Sequence, residues 1–339
     1  MQISSFNSLN EIFFLQLEKY KEEDHLFFNN LNLKKFQTYT WSDTKNNVLK
    51  FAKFLNNKNI KKGDRVLLVS ENRPEWLIAD LAILLNSAIT VPNYTTYTVN
   101  DFAFTINDCQ PSGLIVSSSQ LLKTILLAAK KINYNFNFII LLNKTSEAVA
   151  DNIINFSDIL EKEIDVEEAE IFFKEINKSL IRKDPACIIY TSGTQGTPKG
   201  VVLSHGGILK NCEGALEFLY FIKGQSNTFL TWLPLSHSYE HTVQFVQLSI
   251  GAKIFYSESL DKLLTNLKFA KPTIMTAVPR FYTNLVNKIK INLQNQSSFK
   301  KMIFNKTLEL GEKKLLSKKM TFFEKFINFI LDIIVRKKI

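Results

Sequence analysis

Cysteine, proline and glycine are all scarce in this chain of 339 residues, at 3, 8 and 11 copies. Cys109, Cys187 and Cys212 are odd in number and widely spaced, which excludes a disulfide framework or a cysteine zinc site. Reduced thiols in a cytoplasmic compartment are expected instead. So little glycine and proline leaves no room for a low-complexity linker, and no internal repeat is visible. No run of about 18 uninterrupted apolar residues occurs, so no spanning helix is expected. The start, Met1-Gln-Ile-Ser-Ser-Phe6, lacks the basic and then apolar stretches of a secretory signal.

What is present is an ordinary globular composition, 45% hydrophobic and 22% charged. The net charge is +10. Its lysines are dispersed among asparagines and isoleucines, without the interleaved aromatics and arginines of an RNA-binding surface. No nucleic-acid partner is expected, and the lysines read as a solvated surface. Weak peripheral attraction to an anionic membrane is a second expectation.

Strand and helix patterns alternate, which predicts an α/β fold with two mostly parallel sheets and flanking helices. Ser42 is expected to cap a helix whose apolar face is Val48, Phe51, Ala52 and Leu55. Gly63 and Asp64 turn the chain into a strand at Val66 to Val69. Pro74 suits the first turn of a helix reaching Leu85. Further strands are expected at 114–116, 138–142, 187–190, 229–233, 252–256 and 273–278, with helices at 207–221, 239–249 and 260–269. Residues 144–180 read as a charged surface excursion. The expected divisions are 1–180, a first α/β subdomain; 181–279, a second one; and 280–339, a helical extension. Within that extension Phe322, Phe323, Phe326, Ile327, Ile330, Ile333 and Ile334 form an apolar stripe. It reads either as a membrane-surface helix or, preferred here, as a helix packed on the protein's own body.

The most informative stretch is Thr191-Ser-Gly-Thr-Gln-Gly-Thr-Pro-Lys-Gly200. Thr191, Ser192, Thr194 and Thr197 supply hydroxyls, Gln195 an amide, Lys199 a cation. Gly193, Gly196 and Gly200 permit positive φ and close backbone approach, and successive amides in such a turn make an anion-binding concavity. Pro198 stiffens the exit. This chemistry suits nucleotide phosphates, but the spacing is not that of a Walker loop. Pro198 stands where the second glycine should be, and Gly200 stands where Ser or Thr would bind Mg²⁺. Val201 to Leu203 are β-prone, so the loop is expected to join two strands, with a helix starting only after Ser204.

Tyr190 to Gly200 resembles the phosphate-loop signature of the adenylate-forming enzymes. Trp232-Leu-Pro-Leu-Ser-His-Ser-Tyr-Glu240 and Ala277-Val-Pro-Arg280 resemble two further elements of that superfamily in order and spacing. Gly63-Asp-Arg-Val-Leu-Leu-Val-Ser-Glu-Asn-Arg-Pro-Glu-Trp76 resembles its long-chain fatty acyl-CoA synthetase branch. The resemblance implies ATP-dependent activation of a long-chain fatty acid through an acyl-adenylate, then transfer to coenzyme A. It makes Thr191 to Lys199 the pyrophosphate cradle, with Thr194 a Mg²⁺ ligand and Lys199 a catalytic counter-charge. His237 would lie where the acyl and nucleotide pockets meet, in an orienting role, because a carboxylate is already ionised at pH 7. His241, one turn on, and Arg280 receive no assigned role.

The sequence departs from the pattern in two ways. Thr283 and Asn284 stand where the branch commonly has an acidic and a basic residue. No Tyr-Gly-x-Thr-Glu element for adenine and Mg²⁺ occurs in the chain, nor the ribose aspartate, hinge or small C-terminal domain that follow it in the family. The sequence therefore reads as the N-terminal portion of a ligase, from a truncated frame, a gene fragment or a split enzyme with a separate C-terminal half. On that reading it forms no acyl-CoA by itself. Two alternatives stand beside it: an adenylate-forming ligase for an aryl or amino acid, and a non-catalytic binding protein.

Overall fold

The computed structural model describes residues 3–30, 35–144, 153–192, 198–222, 226–257, 259, 261–294 and 296–338. It divides into two units, Met1–Thr276 and Ala277–Ile339. The first holds eleven strands among its described residues: β1 (Asp24–Asn30), β2 (Lys35–Thr40), β3 (Arg65–Val69), β4 (Ile89–Asn93), β5 (Gly113–Val116), β6 (Phe138–Leu141), β7 (Ile153–Asn155), β8 (Pro185–Ser192), β9 (Pro198–Ser204), β10 (Thr228–Thr231) and β11 (Lys253–Tyr256).

Seven strands form one sheet in the order β7-β6-β5-β3-β4-β8-β9. All of its pairs are parallel except β8 with β9. A four-stranded sheet runs β10-β11-β1-β2, parallel except for the β1–β2 pair. The α/β expectation of two mostly parallel sheets is met. The sheets interleave along the chain, however, and do not divide it at residue 180. β1 pairs with β11, matching Leu26 to Ile254, while β8 and β9 join strands from the first half.

Parallel strands covered on both faces read as continuous apolar runs. On β3, Val66 and Leu68 enter one core cluster while Leu67 and Val69 enter another. The helix Pro74–Leu85 is buried at every residue but Glu75, so it is covered all round rather than on one face, with Asp80 its one buried charged residue. Its proline sits in the first turn as expected. Gly63, at φ +85°, supplies the left-handed residue that turns the chain into β3.

Four expectations need correction. The helix Trp41–Asn57 is capped by Thr40, in a capping box with Asp43, not by Ser42. Ser42 lies inside the helix and donates to Glu22 Oε1 at 3.0 Å. The strand expected at 273–278 shrinks to one bridge, Phe229 with Ile274. There the Thr273 amide donates to the Thr228 carbonyl at 2.9 Å, and the Thr273 hydroxyl competes for the same groups, accepting from the Thr228 amide at 2.9 Å and donating to its carbonyl at 3.1 Å. The excursion at 144–180 contains an edge strand, β7, and the helices Phe156–Leu160 and Val166–Asn177.

The fourth concerns the second unit, which is helical: Pro279–Gln294, Ser298–Leu315 and Phe322–Ile334. Within this unit the other helices leave the stripe on the last helix uncovered. Phe322 is 89% exposed and Phe323 70%, while Asn328 and Leu331 are buried. All three cysteines are buried free thiols. No helix among the described residues is long and apolar enough to cross a membrane.

Candidate active site

β8 and β9 form a hairpin in which Tyr190 faces Gly200, Thr191 faces Lys199 and Ser192 faces Pro198. The turn itself, Gly193, Thr194, Gln195, Gly196 and Thr197, lies outside the described residues, and with it the expected Mg²⁺ ligand Thr194. Thr191 and Lys199 are exposed at the base of the turn. After β9 the next helix begins at His205, with the Ser204 hydroxyl accepting from the Gly207 amide at 3.1 Å. Strands therefore stand on both sides of residues 193–197, as the β-prone flank implied, and no helix starts at Lys199.

Gly200 is not among the residues with positive φ. Its lack of a side chain serves packing. A Cβ there would approach Ile188 Cγ2 to 3.0 Å and the Tyr190 ring to 3.1 Å, so the Tyr190 ring crosses over the glycine of the partner strand. Tyr190 then donates its hydroxyl to Asp108 Oδ2 at 2.6 Å. Burial, reinforced by that carboxylate, pushes the phenol well above its ordinary range, so it stays a donor.

A cavity of ≈ 340 Å³ opens beside this hairpin, lined by Tyr94, Tyr97, Asp101, Thr191, Pro198 and His237, among others. Tyr94 follows the C-terminal end of β4 and Thr191 lies near that of β8, where open α/β sheets bind ligands. Burial raises the Tyr94 phenol and pushes that of Tyr97 up to about 12. Both hydroxyls are donors at neutral pH. The Asp101 carboxylate is occupied in a capping box, accepting from the Thr98 amide at 2.8 Å and hydroxyl at 2.7 Å. Among the described residues no group of three His, Cys, Asp or Glu side chains could hold a metal ion.

His237 is the N-cap of the helix Ser238–Ser249 and is exposed. Its Nδ1 accepts from the Tyr239 amide at 3.2 Å. In the neutral ring this leaves the proton on Nε2, which can donate to an anion. The residue that fixes its approach was missed from sequence. Asn72, just beyond β3, donates to the Leu233 carbonyl at 2.7 Å and accepts from the Leu235 amide at 3.0 Å. Its amide thus clamps the loop leading to His237. An asparagine two residues before Pro74 was the only signal, and it reads equally well as a turn residue.

His241 sits one turn on, yet in a different environment. It is buried, with Nε2 2.9 Å from Asp80 Oδ2. Burial opposes its charge, but the Asp80 carboxylate outweighs this and holds the imidazole above its ordinary range. Glu240, between the two histidines, is fully buried and accepts from the Thr276 hydroxyl at 2.9 Å. Burial pushes its carboxyl up to about 7. Trp232 Nε1 donates to the Thr276 carbonyl at 2.7 Å, so Thr276 is held from both sides.

The model of the AMP-binding enzyme family matches residues 13–333. The chain belongs to that family. Fatty acyl-CoA synthetase A of Dictyostelium discoideum is 26% identical over 258 residues, 73% of this chain and 36% of that protein. Long-chain-fatty-acid–CoA ligase 5 of Rattus norvegicus is 29% identical over 285 residues, covering 79% and 40%. The chain thus spans about two-fifths of the length of the curated relatives it matches. Solved structures share its fold. A long-chain-fatty-acid–CoA ligase from Archaeoglobus fulgidus superposes with TM-score 0.66 at 20% identity, over 84% of this chain and 53% of that one. A luciferase-like enzyme from Zophobas morio does so with TM-score 0.67 at 21% identity, over 83% and 62%.

Proposed function

We propose that this chain supplies the phosphate-binding hairpin and the acyl–nucleotide junction of a ligase that activates a long-chain fatty acid with ATP and passes it to coenzyme A. The observation that carries the reading is the convergence of Thr191, Pro198 and His237 on one cavity, with Lys199 exposed at the same end of the hairpin. The names of the curated relatives support the acyl class.

The fatty carboxylate attacks the α-phosphorus of ATP, an acyl-adenylate forms, and pyrophosphate leaves. Catalysis of such a step rests on alignment and on neutralising charge. Thr191 offers a hydroxyl, and Lys199 a cation, to the leaving pyrophosphate. Mg²⁺, when bound, would add charge neutralisation there; the exposed Thr191 hydroxyl and Lys199 suit an anionic phosphate chain, and Thr194 is the assigned ligand. His237 orients the carboxylate or α-phosphate by donating from Nε2, and Asn72 holds the loop that presents it.

The test is acid-dependent exchange of pyrophosphate into ATP by the native protein that carries this sequence, with oleate, benzoate and an amino acid compared. Exchange driven by oleate, reduced about 100-fold or more by Lys199→Ala, is the expected result. Exchange driven by benzoate or the amino acid alone, or indifferent to Lys199→Ala, would overturn the reading.

A further inference from the structure

Charge is distributed very unevenly along this chain. Residues 277–339 contain fourteen Lys and Arg against four Asp and Glu. That surplus of ten equals the +10 of the whole chain, so residues 1–276 are balanced. The basic segment coincides with the helical unit Ala277–Ile339, and it ends in the helix Phe322–Ile334.

At 100° per residue, Phe322, Phe323, Phe326, Phe329, Ile330 and Ile333 share one side of that helix. They are 38–89% exposed. Asn328 and Leu331 point the other way and are buried. Thr321 and Glu324 close a capping box that fixes the start of the helix. Its two acids are already matched, Glu324 by Lys313 and Asp332 by Arg336. Exposed Lys325 lies on the helix beside the apolar face, Lys318 and Lys319 immediately precede the helix, and Lys337 follows it.

We propose that the helix Phe322–Ile334 is an interfacial anchor that lays its phenylalanine face into the surface of an anionic bilayer. Charge complementarity selects this occupant. The face itself carries no cation, as a nucleic-acid contact would require, but one edge and both ends of the helix do, and cations bordering an aromatic and aliphatic face match acidic headgroups above acyl chains. The helix is too short to cross, so it lies in the plane of the interface. The proposal is independent of the ligase reading and can fail without it.

Co-sedimentation of the full chain with vesicles is the test. It compares phosphatidylcholine alone with phosphatidylcholine containing about 30 mol % phosphatidylglycerol, at low and at about 0.5 M salt. Binding is expected only to the anionic vesicles, and it should weaken in salt. The combined Phe322→Ser, Phe326→Ser and Phe329→Ser variant should bind at least about tenfold more weakly, with unchanged helix content by circular dichroism in buffer. The combined Lys318→Gln, Lys319→Gln and Lys325→Gln variant should lose binding without losing its fold. Equal binding to neutral vesicles, or an unaltered serine variant, overturns the proposal. So does a chain that self-associates without lipid and becomes monomeric on serine substitution, since a second copy would then cover the face.

Discussion

Asp80 Oδ2 lies 2.9 Å from His241 Nε2, with both side chains excluded from solvent. Asp80 comes from the helix Pro74–Leu85 and His241 from Ser238–Ser249, so the pair joins two segments that flank the candidate site. Thr90 donates to Asp80 Oδ1 at 2.6 Å, and Trp76 meets the imidazole edge-on at 5.2 Å. The folded imidazole is held above its ordinary pKa. Its contribution is therefore present below pH 6.5 and is lost as pH rises through the folded value. Asp80→Ala strands the histidine and is expected to cost about 3–5 kcal/mol in urea unfolding. A loss under about 1 kcal/mol would show that the pair is not coupled as described.

Glu240 gives the opposite kind of test. Its carboxyl is pushed up to about 7 by burial, with only the Thr276 hydroxyl favouring the charged form. The folded chain holds this proton between pH 4.5 and about 7 while the unfolded chain releases it, so stability falls as pH rises across that window. Glu240→Gln keeps an acceptor for Thr276 and removes the titration. It is expected to be near neutral at pH 5 and stabilising at pH 8, by at most about 3 kcal/mol. Parallel melting curves for the two proteins across this range would contradict the assignment.

The acid limb should be set in part by His205. It is buried, and its Nδ1 accepts from the Leu9 amide at 3.3 Å. Burial pushes it down to about 4, against the pull of Asp184 and Asp80. His25, stacked on Trp41 at 3.6 Å, is lowered by burial as well. An unfolded chain takes up protons below pH 6.5 that these folded residues refuse, so stability falls on acidification towards pH 4. His205→Asn retains an acceptor for Leu9 and should flatten that fall by up to about 3 kcal/mol. Unfolding titrations of equal slope for both proteins would rule it out.

The sequence carried the local parts of this structure well and the distant ones poorly. The hairpin flanks Pro185–Ser192 and Pro198–Ser204 were legible because β-prone residues and the glycine-rich turn agree, and Pro74–Leu85 because a proline and a continuous apolar run agree. β1 was not seen, because its pairing with β11 depends on a partner more than two hundred residues away, Ile254 opposite Leu26. Thr40 and Ser42 both suit a cap, and only the reciprocal bonds to Asp43 decide between them. Asn72 and Asp80 carry no local signal for the groups they meet across the fold. The phenylalanine stripe was legible as a helix face, and the other helices of its own unit do not cover it.

The central claim, that the β8–β9 hairpin and His237 form one anion-binding site, is tested most directly by nuclear magnetic resonance of the chain during titration with ATP. Shifts are expected at the amides of Thr191, Lys199 and Gly200 and at the His237 ring, saturating together, with Lys199→Ala weakening them about tenfold. Shifts confined to other residues, or a titration unchanged by Lys199→Ala, would contradict the account.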